Sequence, residues 1–248
     1  MLGWKLFVRA VTLLVDNIGD ALKVSGMLYL GIIVLSVWLD VPTAQDFSLD
    51  GSSFPVDGMG SAFFVSVATL IVSLWVAVAW HRYVLLDERP TGVIPTFRGS
   101  EMGAYFLWSL LIGLMIVIAI FAASIPLGLV LLIVPAGVGA LVVTSGALFL
   151  GMILFYRLGI LLPSIAIGKQ MTVSDAWDAT RGHSGTVMVL ALLTVGISQA
   201  LQIPAMIDGG SGLVGTVYQT VIGWIGLMLG VATLTSLYGH LVEGRPID

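Results

Sequence analysis

The feature of this sequence that most limits its fold is the length of the stretches that contain no charged side chain. Counting histidine as charged, five such stretches divide the chain, at residues 24–39, 58–80, 102–156, 184–207 and 209–239. A helix needs about 20 residues to cross the ~30 Å hydrocarbon core of a bilayer, where an unpaired charge is costly. The stretches therefore predict helices that cross a membrane.

The third stretch is too long for one crossing, because it contains 55 residues. It suits two helices and a turn, and the turn is predicted between Ser124 and Gly137, where Pro126 and Pro135 oppose helix formation. The other four stretches suit one crossing each. We therefore expect an all-α integral membrane protein with three helical hairpins. Its six spans are predicted at about 24–41, 61–82, 103–125, 137–158, 185–207 and 213–238.

Composition supports this class. Hydrophobic residues make up 58% of the chain and charged residues 10%, whereas an ordinary soluble domain has about a quarter charged residues. Ten Lys and Arg against fourteen Asp and Glu provide no basic face, so we expect no nucleic-acid partner. The absence of cysteine excludes disulfides, thiolate nucleophiles and cysteine-ligated metals.

The distribution of basic residues predicts the orientation of the chain, because Lys and Arg near span ends are retained in the cytoplasm. With six spans and a cytoplasmic N-terminus, both termini and all ten basic residues fall on the cytoplasmic side. The predicted outer loops carry acidic residues instead, namely Asp40, Asp46, Asp50, Asp57 and Asp208. We therefore predict a multi-pass protein of the cell inner (plasma) membrane.

Residues 1–23 precede the six-span domain of residues 24–248 and are predicted to form an amphipathic helix in the membrane interface. One face is polar, and the other carries large apolar side chains that would enter the acyl boundary, with Trp4 at headgroup depth. The polar face consists of Lys5, Arg9, Thr12, Asp16, Asp20 and Lys23. The alternative is a cytoplasmic helix packed on the other helices.

A second helix in the membrane plane is predicted between the fourth and fifth spans. Residues 158–167 are apolar but too short to cross, and Pro163 interrupts them, so they form an interfacial segment or a kinked extension of the fourth helix. The sequence from Thr172 to Asp175 then has the pattern of a capping box, with Asp in place of the usual Glu. A short helix is expected to begin there.

The predicted inner ends of the even-numbered spans share an aromatic-x-basic pattern, at residues 80–82, 155–157 and 238–240. Two explanations remain open. The pattern is typical of three hairpins repeated on one plan, and it also arises at any membrane interface, because aromatic residues and Arg both prefer that depth.

The segments from Arg157 to Pro163 and from Ala176 to Gly182 resemble a large family of bacterial multi-spanning proteins. This family includes YciC-like proteins and the membrane domain fused to some glycerophosphodiester phosphodiesterases. The amphipathic start and residues 82–90 extend the resemblance loosely over the whole chain. It implies a six-helix inner-membrane protein of undefined activity. Because nothing in the sequence resembles the soluble phosphodiesterase domain, we do not expect that activity.

Candidate contacts for lipid headgroups or a partner are basic and aromatic side chains at the predicted inner rim. They are Arg82, Arg157, His240, Trp4 and Trp177. Arg157 is the most deeply placed, and it would need a carboxylate such as Asp175 or Asp178, or a lipid phosphate. The alternative for Arg82 and Arg157 is simple extension of the side chain to the headgroups.

Candidate helix-packing residues lie in the fifth and sixth spans. Gly226 and Gly230 form a GxxxG, which predicts a close helix contact within the bundle or, as the alternative, dimerisation. Gln199, Gln202 and Gln219 lie in the outer half of these spans, where amides usually hydrogen bond between helices but could also line a polar vestibule.

No charged residue lies in the middle of a predicted span, and no catalytic or metal-ligand spacing occurs. His81, His183 and His240 fall at predicted inner span ends, where water would reach them. We therefore expect no enzyme, metal or cofactor. The sequence favours a membrane component that binds membrane lipids, anionic ones especially, or a membrane-protein partner or second copy of itself. The alternative is a small-solute or lipid transporter or channel.

Overall fold

The structure, a computed structural model, describes residues 1–41, 59–90, 92–129, 134–208 and 212–247. Within these ranges the chain forms nine helices and no strand. The helices are α1 (Leu2–Asp16), α2 (Ile18–Trp38), α3 (Met59–Leu86), α4 (Gly99–Gly128), α5 (Ala136–Leu158), α6 (Leu161–Ala166), α7 (Val173–Arg181), α8 (Ser184–Asp208) and α9 (Gly212–Leu241).

Six of these helices, α2, α3, α4, α5, α8 and α9, are long and apolar enough to cross a membrane. The predicted all-α class and the six membrane-crossing helices are confirmed. Consecutive helices contact each other in the pairs α2/α3, α4/α5 and α8/α9, but the plan of three hairpins stays a prediction. Most of the predicted outer loop, including Asp46, Asp50 and Asp57, lies outside the described residues.

The helix predicted over residues 1–23 is interrupted at Asn17. This residue leaves the helical region with φ −111° and ψ 26°, and its side-chain amide donates to the Leu13 carbonyl oxygen at 2.8 Å. The first long helix therefore begins earlier than predicted, because Asp20 and Lys23 form an ion pair at 2.8 Å within its first turns. Charges paired along one helix do not interrupt it.

The apolar side of α1 packs on the bundle, with Gly3, Leu6, Phe7, Ala10 and Leu14 buried. Gly3 lies against Thr186 of α8, while Asn17 accepts a hydrogen bond from the Tyr83 hydroxyl of α3 at 2.8 Å. Because its two ends reach different helices, α1 crosses the bundle. These contacts match the alternative of a helix packed on the others, and a position in the membrane interface stays a prediction.

The helix ends near α1 form what we call the charged end of the bundle, where α3, α5 and α9 end and α4 and α8 begin. Arg245, which follows α9, donates to the Leu85 carbonyl of α3 at 2.8 Å, and Arg157 of α5 donates to Ser184 of α8 at 2.6 Å. Every basic residue lies at this end: Lys5, Arg9, Lys23, Arg82, Arg89, Arg98, Arg157, Lys169, Arg181 and Arg245.

The core is centred on α9. In the most apolar 18-residue segment of each long helix, the buried share is 56% in α9 but only 6% in α4 and 6% in α5. The largest fully buried side chains, Trp80, Tyr156 and Tyr238, belong to α3, α5 and α9 close to the charged end. The tightly packed region therefore lies at the charged end, and α4 and α5 form the periphery.

Candidate functional site

Arg157 and Trp177 form the part of the predicted site that the structure brings together. Arg157 lies in the last turn of α5, and its guanidinium Cζ is 4.8 Å from the centroid of the Trp177 ring on α7. Its Nη2 donates to the Ser184 hydroxyl at the start of α8, at 2.6 Å. The indole and one hydroxyl contact hold the guanidinium in place and leave its other N–H groups available.

Among the described residues, neither Asp175 nor Asp178 pairs with Arg157. Asp175 instead completes the capping box of α7, because it accepts hydrogen bonds from the backbone N–H and the hydroxyl of Thr172. These bonds lower the pKa of Asp175. Asp178 pairs with Arg181 at 3.2 Å. The predicted capping box is thereby confirmed. Of the two partners expected for Arg157, a carboxylate or a lipid phosphate, the two named carboxylates bond within α7 and its cap instead.

Arg82 is held within the protein. Its Nε donates to Glu88 at 2.5 Å, its Nη1 donates to the Ala166 carbonyl at 2.9 Å, and Arg98 binds the same Glu88 carboxylate. The bond from Arg82 is the chief cause of a lowered pKa at Glu88. Only 13% of the Arg82 side chain is exposed. Arg82 therefore connects α3 to α6 and to the loop before α4.

His240 and Trp4 lie apart from Arg157. The Nδ1 of His240 is 2.9 Å from the Arg245 carbonyl oxygen and therefore donates to it, which holds the tail after α9. Trp4 is exposed on α1 beside Phe7, with ring centroids 6.5 Å apart. Within the described ranges, neither side chain hydrogen bonds or stacks with Arg157 or Trp177, so the five candidates do not form one site.

The helix-packing residues are more open than expected. Among the described residues, no atom of another helix lies within 4 Å of where a Cβ would stand at Gly226 or Gly230. The close contact expected there within the bundle is therefore not made. Gln199 and Gln219 are exposed, and Gln202 is half-buried. Contact between α8 and α9 instead includes a hydrogen bond from the Tyr218 hydroxyl to the Leu201 carbonyl at 2.8 Å.

A buried hydrogen-bond chain joins α4, α3 and α9 and was missed from the sequence. Thr235 donates to the Val231 carbonyl at 2.7 Å, so its oxygen accepts from His81 Nδ1 at 2.8 Å. His81 Nε2 then accepts from the Tyr105 hydroxyl at 3.2 Å. The expectation that water reaches His81 was wrong, since its side chain is fully buried.

A signal for this chain was present in the sequence. His81, Tyr105 and Thr235 each lie five or six residues from the charged end of their helices, which is about one and a half turns. Polar side chains at a common depth on three helices predict an interhelical network. The sequence does not reveal which helix faces meet, and an interfacial position explained each residue equally well.

No family model matches this chain, and no curated protein and no solved structure matches it. The resemblance to YciC-like proteins therefore stays a prediction. In the described part of the chain, no three His, Asp or Glu side chains stand together in a group that could hold a metal ion.

Proposed function

We propose that this multi-pass membrane protein is a non-enzymatic component that binds anionic lipid headgroups at its charged end, with Arg157 as the principal contact. The observation that supports this most is the state of its guanidinium. It is held by an indole and a hydroxyl, and no carboxylate among the described residues neutralises it. Arg82 and Arg245, in contrast, are both paired with glutamates.

The chemistry of the guanidinium favours a phosphate ligand. Arginine presents five N–H donors in a planar fork that matches phosphate oxygens, and Arg157 uses one of them on Ser184. The apolar segment that is long enough to cross a membrane ends at Leu158, and this supports a position of Arg157 near the headgroups. Trp177 directly precedes Asp178 in α7, and tryptophan is a residue type preferred at that depth. An anionic phospholipid would reach both side chains from the bilayer.

We also propose that the charged end faces the cytoplasm of a bacterial inner membrane. All ten basic residues lie at that end, and the described residues of the opposite end carry Asp40 and Asp208 and no Lys or Arg. Basic residues flanking spans are retained on the cytoplasmic side. The anionic surface of that leaflet would also attract them.

Transport has weaker support. A solute path needs polar side chains that face a cavity near the middle of the membrane. Of the buried polar side chains described here, His81, Tyr105 and Thr235 bond to one another, and Tyr156 bonds to Thr194 at 2.7 Å. These groups hold helices together.

The test compares the wild-type protein with Arg157→Gln in lipid nanodiscs that contain equal amounts of phosphatidylglycerol and phosphatidylcholine. Native mass spectrometry of the released protein measures which lipid stays bound. We expect the anionic lipid to be enriched in the wild type and the enrichment to be lost in the variant. The matched control is Arg89→Gln, because Arg89 is exposed and pairs with Asp87. Unchanged enrichment in Arg157→Gln contradicts the proposal, and so does an acidic protein partner that is retained in place of lipid.

A further inference from the structure

A groove of about 680 Å³ runs along the start of α4 and faces the connection between α6 and α7. It is open to the surroundings rather than enclosed. Its volume lies within the range of about 300–1,000 Å³ that is typical of small-molecule sites. Neither Arg157 nor Trp177 lines it, so the groove is separate from the proposed anionic-lipid contact.

One end of the groove is polar and carries both signs of charge. Glu101 of α4 lies on one wall, and Lys169 and Gln170 lie on the other. The Glu101 carboxylate accepts from Ser100 at 2.5 Å and forms an ion pair with Arg98 at 3.9 Å, which is too long for a hydrogen bond. Acceptor positions on the carboxylate therefore remain for another donor.

Lys169 keeps its charge and two of its donors. Its Nζ donates to Glu243 at 2.8 Å, and this bond raises the pKa of the lysine. An ammonium has three donors, so two remain. Gln170 is exposed and makes no hydrogen bond among the described residues. Both side chains can donate to phosphate oxygens.

The other end of the groove is apolar and runs along α4, a helix that is long and apolar enough to cross a membrane. Ala104 and Trp108 of α4 line it, and the apolar length of α4 begins at Gly99. Trp108 is seven residues beyond Glu101, which is about 10 Å along the helix axis. The groove therefore passes from headgroup depth into the acyl region.

We propose that this groove binds a phospholipid whose headgroup carries a primary amine, of the phosphatidylethanolamine class. The ammonium donates to Glu101, the phosphate accepts from Lys169 and Gln170, and the upper acyl chains lie against Ala104 and Trp108. A water-soluble zwitterion without acyl chains would leave the apolar end of the groove empty. An anionic headgroup without an amine would place no donor at Glu101.

The first experiment uses the full chain in nanodiscs with equal amounts of phosphatidylethanolamine and phosphatidylcholine. The two headgroups differ in that the choline nitrogen has no N–H to donate. Native mass spectrometry measures the ratio of the two lipids retained on the protein. We expect the amine lipid to be preferred by about tenfold, the effect of one charge-assisted hydrogen bond. Equal retention of the two lipids by the wild type overturns the proposal.

Variants assign the preference to the groove. In Glu101→Gln, the ratio of retained phosphatidylethanolamine to phosphatidylcholine should fall toward one. The larger side chain in Ala104→Leu narrows the apolar end of the groove, so this variant should lose the bound lipid whatever its headgroup. The matched control is Asp87→Asn, an exposed carboxylate at the same end of the bundle that does not line the groove. If Glu101→Gln does not fold, the lipid ratio of the wild type and the lipid retention of Ala104→Leu still test the proposal. An unchanged ratio in folded Glu101→Gln, or unchanged lipid retention in Ala104→Leu, also overturns the proposal.

The groove and the Arg157 contact can fail separately. Arg157→Gln is expected to change retention of phosphatidylglycerol and leave the ratio of phosphatidylethanolamine to phosphatidylcholine unaltered. Glu101→Gln is expected to do the opposite. Loss of both preferences in either variant contradicts the separation of the two sites.

Discussion

The guanidinium of Arg157 stacks over the indole of Trp177, and this contact joins the end of α5 to α7. The two residues are 20 positions apart in the sequence, with α6 and a capping box between them. The short helix α7 is thus held at the end of α5 by a cation and an aromatic ring. Any ligand of Arg157 meets a guanidinium whose position is already held by Trp177 and Ser184.

We predict that Trp177→Leu weakens anionic-lipid retention without abolishing it. A cation–π contact contributes about 0.5–1 kcal/mol at exposed sites, so the enrichment of phosphatidylglycerol should fall about two- to fivefold. Arg157→Lys should lose more, because an ammonium lacks the planar fork. Native mass spectrometry in mixed-lipid nanodiscs measures both. Trp38→Leu, at the exposed end of α2 away from the charged end, is the control. Equal retention in wild type and Trp177→Leu contradicts a role for the stacking.

The buried chain through His81 should matter for stability. Tyr105→Phe leaves His81 Nε2 without a donor, and Thr235→Val leaves Nδ1 without an acceptor. Each change should destabilise the fold by about 1–3 kcal/mol, the usual penalty for a buried unpaired group. Because both changes act on the same imidazole ring, the free energy of unfolding should fall less in the double variant than the sum of the two single decreases. Reversible unfolding in bicelles measures the three values, and strict additivity argues against a single network.

The position of α1 depends on a glycine. A Cβ at Gly3 would stand 2.8 Å from the Thr186 carbonyl oxygen and 2.9 Å from Val189 Cβ, so Gly3→Ala should push α1 away from α8. We expect destabilisation of about 1–3 kcal/mol and faster proteolysis of the N-terminal segment. Gly19→Ala is the control, because nothing lies within 4 Å of that position. Helix propensity predicts that the control is neutral or stabilising. Equal behaviour of the two variants contradicts the close packing of α1.

Acid should weaken the contact between Arg82 and Glu88. Arg82 lowers the pKa of Glu88 in the folded state, so the folded protein binds the proton less readily than the unfolded chain does. The stabilisation is therefore fully present above the ordinary pKa of 4.5 and is lost as the pH falls through the lowered value. In Glu88→Gln this part of the acid dependence should disappear, while Asp87→Asn should keep it. Thermal unfolding between about pH 3 and 6 measures the difference, and parallel curves for wild type and Glu88→Gln contradict it.

Features that depend on composition along the chain were predictable. The long neutral stretches identify six membrane-crossing helices, since lipid tolerates few other structures. The capping box at Thr172 was also predictable, because both of its hydrogen bonds are made within four consecutive residues. Local chemistry and the solvent decide these features, and no knowledge of helix packing is needed.

Features that depend on which helix faces meet were not predictable. His81 has the sequence surroundings of an interfacial residue, yet it is buried because Tyr105 and Thr235 face it from two other helices. Gly226 and Gly230 have a helix-packing pattern but lie at an open surface. The position of a residue along a membrane-crossing helix predicts its depth in the bilayer. It does not determine which neighbouring helix the side chain faces.

The orientation of the chain can be tested directly, because the protein contains no cysteine and single cysteines can be introduced without a background. Cysteines at Arg89 and Asp178, exposed positions on either side of the α4/α5 pair, should react with an impermeant maleimide only after the cells are permeabilised. A cysteine at Ser52, in the predicted outer loop, should react in intact cells. The expectation follows from the retention of basic residues on the cytoplasmic side. Labelling of Arg89 and Asp178 positions from opposite sides would mean that the chain does not return across the membrane through α4 and α5. The shared basic surface, and with it the proposed anionic-lipid contact at Arg157, would then lose its support.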